Sequence, residues 1–263
     1  MTTSMYVHEL GEGPVVLLLH GTPSPASDWM PVAERLASRY RVLVPDLPAY
    51  GESPAPADAS FETVGDALAK MLAERGAKRV HAVAGFCSGA YRAFELALRS
   101  RIETSLVIGL GAIVTLDEAA RAERRGFARA IEADPTFLHS PALRDILRQL
   151  MLSPTWAANH PADLERIYAW ADLCPPPALV AELDALAAIP DLRSELPHLN
   201  ARVYLRVGEL DANAPPSVSA EICRLAANAT MDVVRACGHS LLIEDLDGTI
   251  AALERELEAT PTT

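Results

Sequence analysis

The chain has 263 residues, half of them apolar, and a formal net charge of −12. This length and composition can supply one large domain with a sizeable apolar core. The acidic balance argues against nucleic acid and against an anionic membrane surface as partners. The first residues lack a positively charged segment followed by an apolar stretch, so we expect no signal peptide and a soluble cytoplasmic protein.

Apolar runs typical of β-strands alternate along the chain with helical patterns. The predicted strands are Tyr6–Glu9, Val15–His20, Arg41–Pro45, Val80–Ala84, Thr104–Leu110, Ala201–Val207 and Thr230–Val234. The predicted helices are Trp29–Ser38, Phe61–Arg75, Ala90–Ser100, Val218–Ala227 and Leu246–Ala259. Several strands are continuously apolar, which favours burial on both faces of a parallel sheet. The alternation predicts the α/β class, with a mostly parallel central sheet flanked by helices.

Residues 116–196 break this alternation, because they show successive helical patterns interrupted by prolines. We predict that this segment forms a helical cap, or lid, over the carboxyl ends of the strands, where open α/β sheets bind ligands. The alternative is a purely structural appendage. Residues 1–115 and 197–263 would then form the core domain.

A short turn joins the fourth predicted strand to the helix that follows it, and its glycine spacing is typical of a nucleophile elbow. The turn is so tight that the residues two before and two after the nucleophile must be small. With Cys87 at the centre, these positions hold Gly85 and Gly89. With Ser88 at the centre, Phe86 would occupy one of them and would not fit. The spacing therefore predicts Cys87 as the nucleophile.

A thiol nucleophile also requires a base and an acid that orients the base. His239 follows the last predicted strand and precedes the final helix, which makes it the candidate base. Asp211, in the loop after strand Ala201–Val207, is the candidate acid, and Glu209 in the same loop is its competitor. The acid would accept a hydrogen bond from Nδ1–H of the base and fix its tautomer.

Two backbone N–H groups are candidates for an oxyanion hole, which would hold the charge that develops on a substrate carbonyl. Ser88 directly follows Cys87, where a nucleophile elbow supplies one donor. The segment after strand Val15–Leu19 supplies Thr22, whereas the following Pro23 has no N–H to donate.

Taken together, these motifs resemble those of the α/β-hydrolase superfamily, in its capped branch that carries H-G-x-P, and the similarity covers nearly the whole chain. The matching parts are His20–Pro23, residues 44–53, the elbow, the Asp211 loop and Cys237–His239. The departure is the cysteine in the elbow, which is similar to that of dienelactone hydrolases and some polyketide- or peptide-pathway thioesterases.

The resemblance implies cofactor-independent acyl transfer in bacterial secondary metabolism. We expect Cys87 to cleave or cyclise an activated ester, lactone or thioester. The substrate must be activated because a thiolate leaves a tetrahedral intermediate more readily than a serine alkoxide does, so an intermediate with a poor leaving group would return to the substrate. One alternative is a lyase in which His239 abstracts a proton and acetate, or another acyl group, leaves a polyketide or tetronate-type intermediate. Another is a ligand-binding protein that kept the fold without catalysis.

Aromatic side chains are the candidate walls of the substrate pocket, since such walls dominate small-molecule sites. The candidates are Trp29, Phe86, Trp156 and Trp170. We expect a small apolar substrate, free or carrier-linked, and no cofactor, metal, nucleic acid or membrane partner. The protein would be a monomer or a homodimer.

Overall fold

The structure is a computed structural model that describes residues 5–77 and 79–261. Residues 1–4, on which the signal-peptide prediction partly rests, lie outside the described residues. Within the part that is described, no helix combines the length and the apolar character that crossing a membrane requires.

Seven strands form one sheet within the described residues. They are β1 (Val7–Leu10), β2 (Val15–Leu19), β3 (Arg41–Pro45), β4 (Arg79–Phe86), β5 (Glu103–Leu110), β6 (Arg202–Gly208) and β7 (Ala229–Val234). Their order is β1-β3-β2-β4-β5-β6-β7. β1 pairs with β3 antiparallel, and the remaining pairs are parallel. The predicted mostly parallel α/β sheet is confirmed.

The helices are α1 (Met30–Leu36), α2 (Phe61–Glu74), α3 (Ser88–Leu98), α4 (Glu118–Ala133), α5 (Pro141–Met151), α6 (Pro154–Asn159), α7 (Pro161–Ala169), α8 (Pro176–Ala187), α9 (Pro216–Leu225), α10 (Leu241–Glu244) and α11 (Leu246–Ala259). Two apolar clusters hold the sheet and helices together. Along β2, Leu17 and Leu19 belong to one cluster, whereas Val16 and Leu18 belong to the other. This strand is therefore buried on both faces, as its uninterrupted apolar run predicts.

Several boundaries differ from the prediction by one to three residues. β4 continues to Phe86, and α3 begins at Ser88, two residues before the predicted start. Cys87 alone separates the two elements and is the N-cap of α3. The predicted first helix is shorter, since its first residue belongs to a 3-10 turn at Ala26–Trp29 and α1 ends at Leu36. The short helix α10 was not predicted.

Helices α4 to α8, which we call the cap helices, occupy residues 118–187 between β5 and β6. The prolines of this segment begin helices as well as separate them. Four of the cap helices start on a proline, at Pro141, Pro154, Pro161 and Pro176. Proline suits the first helical position, because the N–H that it lacks has no partner there. The division into a core domain and a cap domain stays a prediction.

Candidate active site

Backbone geometry singles out Cys87 at the end of β4. Its φ is 55° and its ψ is −118°, a strained conformation for a residue with a side chain. A Cβ added to Gly85 would lie 2.2 Å from the carbonyl carbon of Gly89. A Cβ added to Gly89 would lie 2.4 Å from the carbonyl oxygen of Leu19. Backbone crowding therefore requires glycine at both positions that flank the turn.

The loops after β6 and β7 bring an acid and a base together beside this turn. His239 Nδ1–H donates to Asp211 Oδ2 over 2.7 Å, and neither side chain has any exposed surface. The other carboxylate oxygen of Asp211 accepts the backbone N–H groups of Asn213, at 2.9 Å, and Ala214, at 2.7 Å. The carboxylate is thus fixed from both sides, and it fixes the tautomer of His239.

Glu209, the competing acid, has a different partner from Asp211. Its Oε2 accepts the backbone N–H of Ala236 at 2.9 Å, so it holds the turn that follows β7. Asp211 is the carboxylate that contacts His239.

Cys87 and His239 lie on either side of one amide nitrogen, Asn213 Nδ2, which is 3.6 Å from Cys87 Sγ and 3.1 Å from His239 Nε2. Each of the two side chains shifts the pKa of the other. Burial raises the pKa of the Cys87 thiol, but the charge and hydrogen bond of His239 outweigh burial, so that this pKa falls below its usual value. Burial lowers the pKa of His239, but Asp211 and Cys87 outweigh it and raise the value to about 10. Both shifts favour a thiolate beside an imidazolium.

Asn213 is a site residue that the sequence analysis missed. Its Nδ2 lies 3.6 Å from Cys87 Sγ and 3.1 Å from His239 Nε2. Its Oδ1 accepts a hydrogen bond of 2.9 Å from Arg124 on cap helix α4. Its position two residues after Asp211 was the only sequence signal that could have pointed to it.

Thr22 and Ser88, the predicted oxyanion residues, lie next to each other. Thr22 N–H donates to Ser88 Oγ over 3.0 Å. This N–H reaches a substrate oxygen only if the Ser88 side chain turns away. Ser88 opens α3, where the first backbone N–H groups of a helix have no partner within it. The role of both residues as oxyanion donors stays a prediction.

A buried polar network adjoins this pair, and it is centred on Glu182 of cap helix α8. Glu182 accepts the hydroxyl groups of Thr22 and Tyr50, each at 2.7 Å. Arg92 Nη2 lies 3.5 Å from the same carboxylate. Because the Thr22 hydroxyl donates to Glu182, the Ser88 hydroxyl is the donor in the 3.0 Å hydrogen bond between the two hydroxyl groups. The sequence analysis did not find Glu182 or Arg92.

Three of the four predicted pocket residues lie in the apolar cluster that contains Cys87. They are Trp29, Phe86 and Trp170. The ring centroid of Phe86 lies 4.8 Å from that of His239. Cys87 itself is only 7% exposed, so the thiol lies beneath the surface of the protein.

Trp156, the fourth, packs against the edge of the cluster. Its ring stacks on His160 with the centroids 3.8 Å apart, and its indole N–H donates to Asp163 over 2.9 Å. The roles of all four residues in substrate binding stay predictions.

Comparison with known proteins identifies the family to which this fold belongs. The model of the alpha/beta hydrolase family matches residues 16–252. A pimeloyl-[acyl-carrier protein] methyl ester esterase of Aliivibrio salmonicida is 29% identical over 262 residues, which cover 98% of this chain and 97% of that protein. One from Vibrio vulnificus is 30% identical over 230 residues, with 84% and 86% covered.

Among solved structures, a thermophilic esterase from Thermogutta terrifontis with malate bound superposes with a TM-score of 0.90. The two chains are 26% identical, and 99% of this chain and 98% of that chain are covered. The relatives named here are hydrolases of esters, and the predicted superfamily is confirmed. The chain belongs to the alpha/beta hydrolase family.

Proposed function

We propose that this hydrolase is a cofactor-independent acyl-transfer enzyme with a Cys87–His239–Asp211 triad. The observation that carries the proposal is the Cys87 thiol at a strained elbow, 3.6 Å from an amide nitrogen that lies 3.1 Å from His239 Nε2, with His239 oriented by Asp211. The lowered pKa of Cys87 and the raised pKa of His239 favour the reactive thiolate.

In the first half-reaction, the thiolate of Cys87 attacks the carbonyl carbon of the substrate and forms a C–S bond. The oxyanion collapses, the bond to the leaving group breaks, and His239 Nε2–H protonates that group. In the second half-reaction, His239 takes a proton from water or from an internal hydroxyl, which attacks the acyl thioester. The carboxylic acid or lactone leaves, and Cys87 is regenerated.

The substrate we propose is an activated ester, lactone or thioester with an apolar acyl group. The apolar cluster that contains Cys87 and the aromatic residues Trp29, Phe86 and Trp170 supports the apolar preference. The names of the curated relatives describe the methyl ester of an acyl group on a carrier protein, which supports a carrier-linked acyl substrate.

One observation favours a second candidate, the elimination of acetate or another acyl group. Thr22 N–H is engaged by Ser88 Oγ, so one of the two donors that an acyl tetrahedral intermediate would use is occupied. In an elimination, His239 would remove a proton α to a carbonyl, a carbon–carbon double bond would form, and the β-carboxylate would leave with the electron pair. Cys87 would not form a bond.

Incubation with an aryl ester or an acyl thioester, followed by intact-protein mass spectrometry and peptide mapping, tests the proposal. We expect an acyl adduct on Cys87 and a loss of turnover of at least about 10³-fold in Cys87→Ala. Cys223→Ala is the matched control, since Cys223 lies on α9, and it should keep both adduct and turnover. A fully active Cys87→Ala beside an inactive His239→Ala would overturn the triad in favour of elimination. A chain that binds ligands but turns over none would be a binding protein.

A further inference from the structure

Arg124 is a charged residue of cap helix α4 whose side chain is only 13% exposed. Its guanidinium is held on one side by its own helix, where Nη1 donates to the carbonyl of Ala120 at 3.2 Å and to Glu123 at 2.9 Å. On the other side, Nη2 donates to Asn213 Oδ1 at 2.9 Å. The cap thereby reaches the loop that carries Asp211.

This contact decides which end of the Asn213 amide faces the thiol. A guanidinium can only donate hydrogen bonds, so the amide oxygen must face Arg124. The amide nitrogen then faces Cys87 Sγ, at 3.6 Å, and His239 Nε2, at 3.1 Å. The reversed amide would set two donors against each other at Arg124 and would place an oxygen beside the thiolate.

We infer that Arg124 and Asn213 are positioning residues that hold an N–H donor against the Cys87 thiolate. When the proton lies on His239 Nε2, this nitrogen can no longer accept a hydrogen bond. Sγ is then the acceptor toward which the amide N–H of Asn213 turns, and a hydrogen bond to an ionised acceptor is a strong one. Activation of the thiol would thus depend on a cap helix. This inference rests on the proposed role of Cys87 as a nucleophile.

The charged groups that face Cys87 come from three elements. Burial raises its pKa, whereas His239, after β7, and Arg124, on α4, lower it. Asp211, after β6, raises it. Arg124 therefore acts through its charge as well as through Asn213, and the test must separate the two effects.

The measurement is the pH midpoint of thiolate formation at Cys87. It is read from ultraviolet thiolate absorbance, as the difference from Cys87→Ala, and from the pH dependence of alkylation by iodoacetamide. We expect Arg124→Met and Asn213→Ala each to raise the midpoint and to slow alkylation at neutral pH on the order of tenfold, the size of a lost charge-assisted hydrogen bond. Arg124→Lys, which keeps a charged donor, should restore part of the rate.

Arg125→Met is the matched control. Arg125 is the next residue of the same helix, 41% exposed, and it pairs with Glu118 across 3.7 Å, so its loss removes the same charge without touching Asn213. We expect its midpoint to equal that of the wild type.

An equal shift in Arg125→Met and Arg124→Met would reduce the effect to net charge and overturn the inference. An unmoved midpoint in Asn213→Ala would overturn it as well, and this variant decides the matter if Arg124→Met does not fold. Failure of the proposed function can be told apart from failure of this inference. An active Cys87→Ala enzyme would refute the role of Cys87 as nucleophile, and it would leave the midpoints measured in the other variants unchanged. Unmoved midpoints with an acylated Cys87 would refute only the positioning pair.

Discussion

The two sides of Cys87 are built differently. On one side, His239, Asp211 and Asn213 converge from the loops after β6 and β7, and the amide nitrogen of Asn213 reaches both the thiol and His239. On the other side, Thr22 and Ser88 direct their polar atoms at each other and, through Thr22, at Glu182. In the function we propose, the first side moves a proton, whereas the side-chain contacts of the second side hold a loop in place.

Each side also receives one charged residue from the cap helices, and the two have opposite signs. Arg124 of α4 contacts the first side through Asn213, and Glu182 of α8 contacts the second through Thr22. The cap therefore contributes to the electrostatics of the site. Substitutions that change one side and spare the other can separate these contributions.

Substitution of a glycine in the turn around Cys87, where the two sides meet, should have the largest effect on folding. In Gly85→Ala, the new Cβ would lie 2.2 Å from both the carbonyl carbon and the oxygen of Gly89, so we expect little or no folded protein. The control is Gly126→Ala on α4, where nothing lies within 4 Å of the added atom. It should be stabilising by up to about 1 kcal/mol, because alanine favours a helix. Soluble yield and thermal unfolding measure both, and a stable Gly85→Ala would refute the tight turn.

On the proton-moving side, Asp211→Asn should lower kcat by about 10⁴-fold, because an amide no longer enforces the Nδ1–H tautomer of His239. Glu209→Gln is the control, since Glu209 contacts Ala236 N–H, and its activity should stay near that of the wild type. If Glu209→Gln lost the activity and Asp211→Asn kept it, the acid would be misassigned.

On the loop-holding side, Glu182→Gln should change stability more than chemistry. Loss of the carboxylate leaves the buried Arg92 without its close partner, which typically costs about 3–5 kcal/mol of unfolding free energy. The thiolate midpoint of Cys87 should not move. Glu165→Gln, an exposed cap substitution, should change the unfolding free energy by no more than about 0.5 kcal/mol. A shifted thiolate midpoint in Glu182→Gln would show that the two sides are not independent.

Local motifs explain why candidate residues on both sides of Cys87 could be named from the sequence. The sequence shows the glycines around Cys87, and it shows Asp211 and His239 in loops that follow strands. The parallel sheet could also be predicted, from the alternation of strands and helices. Tight turns and strand ends leave such signals because they constrain the residues next to them.

The contributions of the cap could not be predicted in this way. Arg124 lies between other arginines on an amphipathic helix, and nothing in that pattern tells which of them points inward. Glu182 meets Thr22 across 160 positions of sequence, so their contact depends on how α8 packs on the core. Such partners are set by tertiary packing, for which one sequence carries no local signal.

The pH dependence of kcat/KM in the wild type and in Cys87→Ser tests the thiolate–imidazolium pair most directly. The pair forms above the lowered pKa of Cys87 and is lost when His239 deprotonates near pH 10. The wild-type value should therefore rise and then fall with pH. Serine stays protonated and needs a neutral His239 as its base, so kcat/KM of Cys87→Ser should only rise with pH. This rise should come at a lower pH than the loss of the pair in the wild type, because no thiolate stabilises the imidazolium. A wild-type profile that keeps rising at alkaline pH, as in Cys87→Ser, would contradict the ion pair.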